Sequence, residues 1–136
     1  MVQAATSPKL KQLFQAHQQE SRSHLDRLKH AFQILAVSPE GNFCEPTQGL
    51  VKEAQEVLGE GLPGEILDVA LVMAAQKIEH YEIASYGSLH SVAMSCGLEN
   101  VGMLLEQTLY EEKADDQKLT DLAESDINET AAAKAA

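Results

Sequence analysis

The chain has 136 residues, a formal net charge of -11 at pH 7 and a pI near 4.7, so nucleic acid and anionic membrane surfaces are disfavoured as partners and cations, metal ions among them, are favoured. Its length fits one domain, and the few Gly and Pro, the absence of Trp and the wealth of Ala, Leu, Glu, Gln and Lys predict an all-α fold. With only Cys44 and Cys96, no CxxC, no basic start followed by an apolar run and no apolar stretch near about 18 residues, the sequence reads as a reduced, cytoplasmic protein without a membrane segment.

Ser7-Pro8 predicts a helix start, because Ser caps the orphan amides and Pro at the first helical position gives up a donor that had no partner. Leu10, Leu13, Phe14, His17, Ser21, His24, Leu28, Ala31 and Leu35 then recur at three and four up to Pro39. His17, Glu20 and His24 lie on or beside that stripe. Residues 38–46 read as a loop and 47–58 as a short helix, after which Gly59, Gly61, Pro63 and Gly64 break the chain again. So long a connection suits a crossover that carries the chain back along a bundle. A third helix is expected from about Gly64 to Ser95, with Gly97 as its left-handed stop. Val101, Leu104, Leu105, Thr108, Leu109, Glu112, Asp115, Leu119 and Leu122 mark a fourth, antiparallel to the third. The expected architecture is three long helices plus a short crossover helix, in a domain over residues 1–124 with a flexible tail over 125–136.

The third helix places acids where its inward face should be apolar: Glu79 and Glu82 fall between Ala75 and Tyr86 on one stripe. A buried, unpaired carboxylate is costly unless it stays protonated or gains a cation. Glu20, with His24 one turn on, stands near the stripe of the first helix, and Glu112 near that of the last, where Asp115 and Asp116 compete for one further place. Such a set suits a dinuclear site, in which two divalent cations neutralise four carboxylates and imidazole or water completes the coordination; its oxygen-rich character favours iron or manganese. The expected ligands are Glu20, His24, Glu79, Glu82, Glu112 and Asp116. The competing expectation is a structural layer of rim acids paired with Arg22, Arg27, Lys77 or Lys113, each exposed pair contributing about 0 to 1 kcal/mol. His17 reads as a donor to a nearby acceptor rather than a ligand, His80 as outward, His90 as core or rim, and Tyr86 as a partner for a ligand carboxylate. Neither cysteine has a base pattern around it, and no phosphate-cradling Gly loop or Ser-His-Asp ordering is present.

Ala74 to Ala84 with Tyr86-Gly87, then Leu105 to Leu109 and Glu111-Glu112-Lys113, resemble the bacterial YciF/YciE family of ferritin-like stress proteins. Ala5-Thr6-Ser7-Pro8, His17, Glu20, Arg27-Leu28 and Phe32 resemble that family's second helix, so the likeness spans nearly the whole chain, most specifically at Glu79-His80-Tyr81-Glu82. The resemblance implies a ferritin- or rubrerythrin-like bundle, a homodimer or higher assembly, expression under stress and a di-iron or di-manganese centre. Measured against the family pattern, the sequence begins where a first acid-bearing helix has ended. The implied site is then short of one wall and one Glu.

Overall fold

The computed structural model describes residues 1–135 and is built from α1 (Pro8–Leu35), α2 (Glu45–Gly59), α3 (Gly64–Ser95), α4 (Glu99–Leu122) and α5 (Asn128–Ala135), with a π-helical turn, Ala123–Ile127, joining the last two. Among the described residues there is no strand, and no helix is long and apolar enough to cross a membrane. The expected all-α bundle of three long helices and a crossover helix is the observed one.

Ser7 caps α1 through its hydroxyl, which accepts from the Leu10 amide at 3.4 Å. The segment before it is pinned by Asp68 of α3. That buried carboxylate accepts from the Thr6 amide at 2.7 Å, the Thr6 hydroxyl at 2.6 Å and the Ser7 amide at 2.7 Å. Three donors on one carboxylate compensate for its burial. The α3–α4 turn closes on Gly97, whose φ of 71° lies in the left-handed region that favours glycine.

α4 packs along α3 on one flank and α1 on the other, and α2 lies on α3. Two apolar clusters fill the bundle. One joins Leu10 and Phe14 of α1, Leu71, Val72 and Ala75 of α3, and Leu119 and Leu122 of α4; the other joins Ala31, Tyr86, Ala93, Val101 and Leu105. Between them, on all three helices, runs a polar layer.

The chain after residue 124 differs from the flexible tail expected there. It is helical to Ala135, and Ile127 and Ala131 are buried. Their spacing continues the stripe of Leu119, Leu122 and Ala123, so the same apolar face holds the extension against α3 and the start of α1. Lys9 reinforces it from α1 by donating to Asp126 at 2.7 Å.

Candidate metal centre

The polar layer is made by the same periodicity that makes the clusters. Moving along each helix away from the Leu10–Leu71 cluster, His17, Glu20 and His24 follow Phe14 on α1, Glu79 and Glu82 follow Ala75 on α3, and Asp115, Glu112 and Thr108 follow Leu119 on α4. One ligating atom from each of His17, Glu79, Glu82 and Glu112 lies within 4.8 Å of all the others. Glu79 is 3% exposed and Glu112 0%. Glu79 Oε2, both oxygens of Glu112 and Glu20 Oε2 are buried with no hydrogen-bond partner in the protein. A carboxylate oxygen in that condition is destabilising until a proton or a cation reaches it.

Shared protons relieve part of the cost. Burial, then the close approach and charge of Glu112, push Glu79 well above the usual carboxylate range. Burial would raise Glu112 as well, but the neighbouring His24, Glu79 and His17 outweigh it and hold Glu112 low. The two carboxyls are thus pushed apart, Glu79 toward its neutral form and Glu112 toward its charged one. Glu20 and Asp115 are likewise pushed apart: the nearness of Asp115 and burial raise Glu20, while burial of Asp115 is overcome by His17, Glu20 and Lys118, which hold it far below its ordinary value. Glu82 is raised by burial and by Glu112.

The two histidines answer these acids. His17 Nδ1 is 3.1 Å from Asp115 Oδ2 and 3.4 Å from Glu79 Oε1, and the bond to Asp115 raises its pKa against the effect of burial. Burial alone would lower His24, yet Glu112 and Glu111 on either side raise it. Its Nε2 stands 2.9 Å from Glu111 Oε2 and its Nδ1 2.8 Å from Glu112 Oε1. The Tyr86 ring packs against it edge-on, with centroids 6.4 Å apart.

Of the residues expected to be ligands, Glu79, Glu82 and Glu112 converge. Glu20 stands beside Asp115 at one edge of the layer, and His24 stands beside Glu112 at another. Asp116 does not join them. Asp115 continues the inward stripe of Thr108, Glu112, Leu119 and Leu122, and Asp116, about 100° further round the helix, turns to the edge of α3. There Gln76 Nε2 donates to its Oδ1 at 3.2 Å and the exposed His80 approaches to 3.3 Å. The inward acid of that pair is Asp115. His17 donates to a side-chain acceptor as expected, but it is also one of the four convergent donors. Glu111, which the stripe did not single out, faces α1 on the other side of Glu112. The signal for it was Arg27, one turn after His24, because a cation at that place calls for an acid opposite.

The donor set suits a hard divalent cation: mostly carboxylate oxygen, with imidazole nitrogen at two points. Bonds of about 2.1 Å to opposite ligands span about 4.2 Å, and the four ligating atoms lie no more than 4.8 Å apart. Two spaces reach the layer. A cavity of about 20 Å³, the room of one water, touches His17, Glu79 and Asp115. An open groove of about 260 Å³, lined by Leu28, Leu50, Ile78, Tyr86 and Leu89, reaches Glu82 from the side of α2.

A helical bundle whose packed stripes carry an inward carboxylate and histidine layer defines the class. Residues 1–132 match the model of the family described as a domain of unknown function, DUF892, and the chain belongs to that family. It is 41% identical to Protein YciF of Escherichia coli (strain K12) over 141 residues, covering 99% of this chain and 82% of the relative. The crystal structure of the E. coli stress protein YciF superposes with a TM-score of 0.89 at 41% identity, over 93% of this chain and 80% of that one. YcfI from Rhodopseudomonas palustris, whose description suggests a structural protein, gives a TM-score of 0.85 at 39% identity over 88% and 76% of the two chains.

Proposed function

We propose that the protein is a stress-response member of its family that binds iron or manganese, up to two ions, in the carboxylate layer. The observation that carries this reading is the set of buried oxygens on Glu79 and Glu112 that no hydrogen bond satisfies. His17, Glu79, Glu82 and Glu112 form the convergent ligand set, with Glu20, Asp115 and His24 completing it at the edges. A reduced metal pair held there would supply electrons to dioxygen or peroxide. The chain's own part is to gather the donors, to release a proton from the raised Glu79 as a cation enters, and to admit small reactants along the groove that ends at Glu82. The relation to the E. coli stress protein supports the setting. We further take the protein to be a cytoplasmic homodimer, in keeping with exposed apolar residues such as Leu25, Leu89 and Val92; light scattering tests the association.

Elemental analysis after purification without chelator tests the metal reading. Stoichiometric iron or manganese in the native protein, lost in Glu79→Ala, is expected. Sub-stoichiometric metal that supplementation does not raise would refute it. A second reading, a structural module without metal, is favoured by the internal pairing of His17 with Asp115, Lys118 with Asp115 at 2.6 Å and Arg27 with Glu111. Under it, Glu79→Ala leaves metal content unchanged and affects only stability.

A further inference from the structure

The His24 ring is held differently at its two nitrogens. Nε2 is in line for a hydrogen bond to Glu111 Oε2 at 2.9 Å. Nδ1 is as close to Glu112 Oε1, at 2.8 Å, but lies off the line that a hydrogen bond needs, which is why both Glu112 oxygens remain without a partner. Glu111 is itself fixed. The Arg27 guanidinium donates to it through both terminal nitrogens, at 2.5 and 2.7 Å, and Gln107 adds a donor at 3.3 Å. Arg27 is steadied in turn by donating to the Thr108 hydroxyl at 3.2 Å. A carboxylate locked by a bidentate guanidinium is an acceptor only. A neutral His24 ring therefore carries its proton on Nε2 and turns the Nδ1 lone pair toward Glu112. Two lone pairs at that distance repel until a positive charge lies beside them.

We propose that Glu111, clamped by Arg27, is a positioning residue that sets the Nε2-protonated tautomer of His24 and aims Nδ1 at a divalent cation shared with Glu112. The cation part rests on the metal-binding reading above; the tautomer part does not. Carboxylates that orient a ligand imidazole in this way commonly contribute about 10- to 100-fold to metal affinity.

The test has two readouts on the full chain. In the metal-free protein with nitrogen-15-labelled histidine, long-range proton–nitrogen correlation spectra, recorded at a pH where the ring is neutral, should show His24 protonated on Nε2. Glu111→Ala should convert it to a tautomer mixture. Glu111→Gln, which keeps the shape and an acceptor oxygen, should retain the wild-type pattern. In cobalt(II) titrations followed by absorption, Glu111→Ala should weaken binding by roughly 10- to 100-fold and Glu111→Gln by less. In a His24→Ala background, Glu111→Ala should cost nothing further. A wild-type ring protonated on Nδ1, or a tautomer that Glu111→Ala does not change, would overturn the proposal. So would a Glu111→Ala penalty that persists undiminished without His24. If the wild type takes up no cobalt, the metal-binding reading fails and the cation part with it, while the ring spectrum still decides the tautomer.

Discussion

The apolar cluster around Leu10 and Leu71 and the carboxylate layer one turn away are built from the same three helices and the same stripes, yet they close in opposite ways. In the cluster, Leu10 and Leu71 are fully buried among apolar side chains that need no partner. In the layer, Glu112 is just as buried and its two oxygens have no hydrogen bond. Close packing completes the first within the chain. The second is completed only by protons, histidines and, on the reading proposed here, a cation. The comparison separates a region that stabilises the fold from one that the fold holds in an unsatisfied state.

Substitutions in the two regions should therefore act on different observables. Glu112→Ala is expected to have the largest effect on binding, lowering manganese or cobalt affinity by more than about 100-fold, since even residues that merely orient ligands contribute up to that factor; calorimetric titration measures it. Leu71→Ala should cost about 2 to 5 kcal/mol in chemical denaturation through the cavity it leaves, with metal stoichiometry unchanged at temperatures where the variant is folded. Should Leu71→Ala abolish binding while Glu112→Ala spares it, the division between the two regions fails.

Glu79→Gln sharpens the contrast through pH. Because the folded-state pKa of Glu79 is raised, the stability linked to its proton is fully present below the ordinary carboxylate range and is lost as pH rises toward the folded value. Glutamine imitates the protonated form at every pH. In the metal-free state the variant should match the wild type near pH 4 and gain on it as pH rises, by at most about 1.4 kcal/mol per pH unit. Urea denaturation at several pH values reads this, and a gap that stays constant or narrows would contradict it. The smallest effect belongs to Lys118→Met. Its side chain is 49% exposed although its ammonium donates to Asp115 at 2.6 Å, so the loss should stay below about 1 kcal/mol and shrink with added salt.

Most of the architecture could be read from the sequence because apolar spacing, Ser7-Pro8 and Gly97 each carry a direct stereochemical meaning. Residues 125–135 escaped that reading, since Ile127 and Ala131 are too sparse to announce a helix on their own and acquire a role only by continuing the face of Leu119 and Leu122. In the site, Glu79, Glu82 and Glu112 were legible for the opposite reason: an acid at the centre of an apolar stripe is a strong exception. Asp115 against Asp116 was not decidable from phase, because both lie within about 60° of the Glu112 direction and the choice depends on where α1 and α3 flank α4. Glu111 was hidden for the same cause. The long-range pairing that holds it, with Arg27 and His24, exists only once α1 packs on that side.

Completion of the layer by a divalent cation should be visible in anaerobic thermal melting with and without ferrous ion. A ligand that binds only the folded state stabilises it by about 2.7 kcal/mol at a hundredfold excess over Kd, which is roughly 10 °C for a chain of this size. The wild type is expected to show a rise of that order and Glu112→Ala none. A wild-type midpoint that does not move with ferrous ion would mean that no ferrous ion completes the layer.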